Sequence, residues 1–87
     1  MRRNLKLVEQ ILSWMEECAP LNGSLKEEIR EGVLMDNAAV VSFDYHLDLL
    51  VGGGFISRES FMTGAAYYQL TWQGHDLAGR LRVADGN

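Results

Sequence analysis

Apolar positions along the chain fall into spaced runs, separated by stretches that favour turns. Between Asn4 and Cys18, Leu5, Val8, Leu12 and Met15 recur at helical steps, which predicts one face of an α-helix. Leu7, Ile11, Trp14 and Cys18 form a second stripe beside the first, so the face expected to be buried is wide. Asn4 is placed to cap this helix and Pro20 to stop it. Glu16 and Glu17 then sit at its negative end and are expected to be solvated, with contact to a basic partner as the lesser alternative. From Ser24 to Leu34 the pattern serves two structures. Ser24-Leu25-Lys26-Glu27 has capping-box spacing, and Leu25, Ile29 and Val33 step by four as on a helix. The same three residues also share one side of a strand, and Gly32 weakens a helix, so both readings stand, with helix slightly preferred.

Asp36 or Asn37 caps a second clear helix that runs to about Val51, with Val40, Phe43, Leu47 and Leu50 as its buried stripe. Gly52-Gly53-Gly54 ends it and lets the chain turn sharply. A short apolar strand, Phe55 to Arg58, is followed by a Ser/Thr/Gly-rich loop and a second strand from Ala66 to Thr71, which together predict a hairpin. Trp72 begins a last helix with Leu77, Ala78 and Leu81 inward, Asp76 near its start and Arg80 and Arg82 near its end. This order of elements is the outline of a winged helix. The expected fold is therefore α+β: one small winged-helix domain over residues 1–87, with three or four helices and a β-hairpin wing.

Several short motifs carry a family resemblance. Arg2-Arg3-Asn4-Leu5-Lys6-Leu7-Val8, followed by Ile11-Leu12, is similar to the opening of domain-of-unknown-function family 2513, a group of uncharacterised bacterial and prophage proteins. Tyr45-His46-Leu47, Leu49-Leu50 and Gly54-Phe55-Ile56 resemble its central helix and the turn into the wing. Leu70-Thr71-Trp72-Gln73-Gly74-His75-Asp76 resembles its closing motif and is the most specific part. The span from Asn22 to Ala39 and the wing loop match poorly, and Gly79 stands where the family usually has an acid. The resemblance implies a winged-helix fold and a mobile-element setting, and it supplies no activity.

Composition narrows the field further. In 87 residues, 47% hydrophobic and 23% charged side chains are near the globular average, which excludes a disordered or collagen-like chain. The longest aliphatic run, Ala38 to Val41, is far short of the roughly 20 residues of a spanning helix. Lys6 and Glu9 interrupt what would have to be a signal segment, so a cytoplasmic protein without a membrane partner is expected. The single cysteine, Cys18, supports neither an internal disulfide nor a thiolate zinc cage, in keeping with a reducing compartment. A net charge of −4 has the wrong sign for a chain whose main task is phosphate contact.

No catalytic template fits. Asp44, His46 and Asp48 are two apart along a helix and point in divergent directions, so they cannot converge on a metal or a substrate. His46 reads instead as a side chain at the edge of the core, bonded to a nearby carbonyl. Thr71 to His75 reads as a cap and packing motif holding the wing to the last helix, with His75 bonding the loop before it and Gly74 admitting another backbone. No serine carries a nucleophile elbow. Gly52 to Gly54 follow a helix, so they cannot present a helix N-terminus to phosphate. An enzyme, a cofactor and a metal are not expected.

Two binding functions remain. DNA recognition would use the helix before the wing, but that helix holds no Lys or Arg, and Asp44 and Asp48 share its outer face with nothing nearby to offset them. Cations would have to come from Arg2, Arg3, Lys6, Arg58, Arg80 and Arg82. Protein recognition would use the acidic face of Asp44 and Asp48 together with Phe61, Met62, Tyr67 and Tyr68 of the wing, residue types typical of interface centres, with coverage of the core by Phe61 and Tyr68 as the equal alternative. The same wing residues would serve a homodimer. Charge placement favours the protein partner, with DNA binding as the alternative.

Overall fold

The computed structural model describes residues 4–18, 23–33 and 40–85, and Arg2, Arg3, Pro20 and the caps expected at Asp36 or Asn37 lie outside these. Helix α1 (Leu5–Cys18) comes first, followed by α2 (Lys26–Val33) and α3 (Val40–Gly52). The strands β1 (Ile56–Ser60) and β2 (Ala66–Leu70) and helix α4 (Trp72–Asp85) complete the order. The α+β winged-helix class read from the sequence is the class found.

Asn4 starts α1 as expected. Its side-chain oxygen accepts the N–H groups of Lys6 and Leu7 at 3.1 and 3.2 Å, two donors that a helix start leaves without an internal partner. Leu7, Val8, Ile11, Leu12 and Met15 are buried, and α1 packs against α2, α3 and α4. The stripes read from the sequence are too long at both ends: Leu5 is 55% exposed and Cys18 is exposed. Leu5 and Cys18 are the first and last residues of this helix of 14 residues, at the margins of the face that the other elements cover.

The helix reading of the ambiguous segment is the one found, and the strand reading is not: only Ser24, before the helix, makes a strand-like contact. Ser24 bridges β2 as a single strand-like residue, its N–H donating to Tyr68 O at 3.0 Å and its carbonyl accepting the Tyr68 N–H at 2.8 Å. One residue later α2 begins. The expected Ser24–Glu27 capping box does not form: one position on, Glu28 accepts the Leu25 N–H at 2.9 Å, but Leu25 has no side-chain oxygen for the reciprocal bond, and Leu25 O starts the helical ladder. Ser24 is spent on the sheet, and its buried hydroxyl has no partner among the described residues. Gly32 has a packing reason, because a Cβ there would fall 2.0 Å from Trp14 Nε1.

Helix α3 buries Phe43, Leu47 and Leu50. Its end follows the Schellman pattern: Phe55 N–H donates to Leu50 O at 2.9 Å and Gly54 N–H to Val51 O at 3.2 Å. Of the three consecutive glycines, Gly54 takes the left-handed conformation, φ 84°, that this pattern requires. Strand β1 starts one residue and ends two residues later than expected, and β2 stops one residue short of Thr71. The antiparallel register pairs Ile56 with Leu70, Arg58 with Tyr68 and Ser60 with Ala66. Ile56 and Tyr68 are buried, tying the base of the wing to the same core as α1, α3 and Ala78 of α4.

The junction between wing and α4 is closely fitted. Thr71 caps α4 by accepting the Gly74 N–H at 3.1 Å, while its hydroxyl donates to Gly54 O at 2.6 Å and its own N–H donates to Phe55 O at 3.2 Å. A Cβ on Gly74 would lie 2.1 Å from Phe55 O, so this position admits another backbone and no side chain. Trp72, read as part of the packing motif, is 83% exposed. It occupies the first turn of α4, facing away from the junction that Thr71 and Gly74 close.

Candidate interaction surfaces

His46 is fully buried, deeper than the core edge expected of it. Its Nδ1 lies 2.6 Å from Ser42 O, the carbonyl contact anticipated from the sequence. Its Nε2 accepts the Asn4 N–H at 2.7 Å, a bond between helices that no local pattern announces. The two bonds together fix the Nδ1–H tautomer and occupy both ring nitrogens. The ring of Tyr45 stands edge-on to it at 5.5 Å. Leu47, the next residue, is buried in the core. His46 is thus a structural tie between α3 and the start of α1.

His75 reaches the loop before it only through its backbone, its N–H donating to Thr71 O at 3.1 Å, and its imidazole turns to α1. Its Nδ1 lies 3.0 Å from Glu16 Oε2, and the Arg82 guanidinium lies 2.8 Å from Glu16 Oε1. Glu16, expected to be solvated, has a side chain only 17% exposed and is held between two residues of α4. One turn of α4 carries His75 and the turns beyond it Arg82, which brings both over the end of α1. The sequence shows no sign of this pairing, since 59 residues separate Glu16 from His75. Among the described residues no group of three His, Cys, Asp or Glu side chains is placed to hold a metal ion.

The two acids of α3 differ in setting. Asp48 is exposed, whereas Asp44 is half-buried and lies 3.7 Å from Lys26 Nζ of α2. The expectation that nothing offsets Asp44 is corrected by this ion pair. A cleft of about 560 Å³ opens between the start of α2, α3 and the wing. Lys26, Glu27, Asp48 and Arg58 line it, with Tyr68 among the apolar residues that do so. Asp48 and Arg58, which belong to rival readings of the sequence, therefore face the same space. Two cations and two carboxylates leave that space without net charge.

At the far end of the wing, Met62 is fully exposed and Phe61 about half so. Phe61 stands edge-on to Tyr67, with ring centroids 5.3 Å apart, so Tyr67 is partly covered. The turn between the strands is closed by Phe61 N–H to Ala65 O and Gly64 N–H to Phe61 O, both 2.9 Å, with Gly64 left-handed at φ 88°. Apolar side chains at the tip are thus carried on a tightly hydrogen-bonded turn.

The candidate DNA contacts are scattered. Lys6 lies 3.6 Å from Glu9 on its own helix, and Arg82 is held by Glu16. Arg58 is in the neutral cleft, and Arg80 is exposed on α4. No helix among the described residues is long and apolar enough to cross a membrane. No family model, no curated protein and no solved structure matches the chain.

Proposed function

We propose that this chain is a non-catalytic winged-helix interaction module of the cytoplasmic, bacterial or mobile-element type that its resemblance to domain-of-unknown-function family 2513 implies. It binds a protein partner through the outer face of α3 and the tip of the wing. The observation that carries this reading is the charge balance where DNA would lie. The described outer face of α3 offers Asp44, Tyr45, Asp48 and Leu49 and no cation, and the cleft beside it pairs Lys26 and Arg58 with Glu27 and Asp48. A polyanion gains nothing from such a surface, whereas a protein partner can use its mixed charges and the apolar tip together.

Fluorescence anisotropy with a random DNA duplex tests this. The expected result is no binding at physiological salt by the wild type. A DNA-binding domain would give micromolar affinity, with a salt slope of about −0.9 per phosphate neutralised. Replacing Asp44 and Asp48 by Asn would then tighten that binding, because Lys26 would be released from its pair. Tight duplex binding that strengthens in this double variant overturns the protein-partner reading.

A further inference from the structure

Helix α4 has a second face beside the one that meets α1, and His75, half-exposed and held by Glu16, borders both. His75, Asp76, Gly79, Arg80 and Val83 recur along this second face at steps of one and three, and they line a shallow depression on the surface. Its floor is Gly79, where an added Cβ would meet nothing within 4 Å. A glycine in a helix interior is costly when nothing requires it, and here neither turn, cap nor close neighbour does so. Val83 is 70% exposed beside it. Asp76 and Arg80 are one turn apart in the order that favours an ion pair, yet among the described residues neither makes one.

We propose that this face is the contact for a second copy of the chain, with two α4 helices packed antiparallel about a two-fold axis beside Gly79. Charge complementarity selects this occupant. A two-fold axis at that point puts Asp76 across from Arg80 of the partner subunit and repeats the pair in reverse on the other side. Val83 comes to lie against the partner's His75, and the missing side chain at Gly79 lets the two backbones approach. The arrangement is self-complementary, as an isologous interface must be. A parallel arrangement would set Asp76 against its own copy and Arg80 against its own. The contact uses neither α3 nor the tip of the wing, so it stands apart from the protein-partner reading.

Sedimentation equilibrium of the full chain tests the proposal. The wild type is expected to show a reversible dimer at on the order of 100 µM, since a single helix pair is at the small end of specific interfaces. Gly79→Leu is expected to abolish the dimer while raising the melting temperature of the dilute monomer, because it removes a helix-interior glycine without a clash. Arg80→Asp is expected to abolish the dimer by facing two carboxylates across the axis, and the exchange Asp76→Arg with Arg80→Asp to restore it. A monomer mass for the wild type overturns the proposal. So does a dimer that survives both Gly79→Leu and Arg80→Asp, and loss of that dimer on replacing Phe61 and Met62 by Ser would place it at the wing.

Discussion

The base and the tip of the wing hairpin are built from opposite kinds of contact. At the base, Thr71 and Gly74 engage Gly54 and Phe55 through backbone and hydroxyl bonds of 2.6 to 3.2 Å, with no room for one added carbon at Gly74. Ile56 and Tyr68 of the same strands are buried in the core. At the tip, hydrogen bonds close the turn on itself, and Phe61 and Met62 project from it. The hairpin is thus a fixed arm. Its base holds an angle between α3 and α4, and its tip is held out at a defined place without contributing to the core. Met62 so presented gains no burial within the chain and Phe61 only the edge-on contact with Tyr67, so both leave apolar surface in water.

The largest effect is expected at the base. Gly74→Ala would place a methyl group 2.1 Å from Phe55 O, and backbone cannot yield as a flexible side chain can. The gain of about 1 kcal/mol in helix propensity is outweighed by this overlap. A net loss of about 2–3 kcal/mol is expected from forcing an extra methyl group into a filled site. At about 4–8 °C per kcal/mol, a thermal melt should fall by at least 8 °C or so. An unchanged melting temperature would mean that the wing is not seated on α4 as described.

A smaller effect separates the capping bond from the packing. Thr71→Ala removes the acceptor for the Gly74 N–H and the donor to Gly54 O and leaves the backbone in place. Loss of a helix cap costs about 1 kcal/mol. The orphaned Gly54 carbonyl adds up to about 1 kcal/mol more. Thr71→Ser keeps both bonds and should melt within about 0.5 kcal/mol of the wild type, as conservative changes of this kind do. Equal losses in the two variants would show that the Thr71 methyl group, and not the hydroxyl, secures the junction.

Elements governed by local spacing were legible in the sequence. The middle of α1, the stripe of α3, the hairpin and the Asn4 cap all follow from contacts within a few residues. Gly74 was legible too, because a glycine just inside a helix start has few other reasons to be there. The stretch from Ser24 to Val33 was half legible. Leu25, Ile29 and Val33 satisfy both periods, and the chain takes the helical one, with Ser24 alone bridging β2 before the helix starts. What could not be read depends on how distant elements meet. Leu5 and Cys18 fit their stripes yet lie at the margins of the covered face, and Glu16 finds His75 and Arg82 only because α4 crosses the end of α1. The sharing of one cleft by Asp48 and Arg58 is set by the angle of the wing, which no spacing in the sequence encodes.

The smallest effect on stability is expected at the tip, where it sharpens the comparison most. Phe61→Ser with Met62→Ser removes apolar surface that the fold leaves exposed, and costs only the edge-on contact of Phe61 with Tyr67. Surface changes of this kind stay within about 0.5 kcal/mol, and the aromatic pair adds about 0.5–1.5 kcal/mol when both rings are desolvated, less here because Phe61 is half exposed. The melting temperature should therefore fall by no more than a few degrees, well short of the Gly74→Ala loss. Met62→Ser alone should leave it unchanged, since Met62 is fully exposed. Capture from a nuclease-treated bacterial lysate, compared between wild type and the double variant, then reads function separately from folding. A partner retained by the wild type and lost by a well-folded double variant is the outcome expected of a tip used for recognition. A double variant that melts as low as Gly74→Ala would show that the tip belongs to the core after all, and the contrast between the two ends of the wing would fall with it.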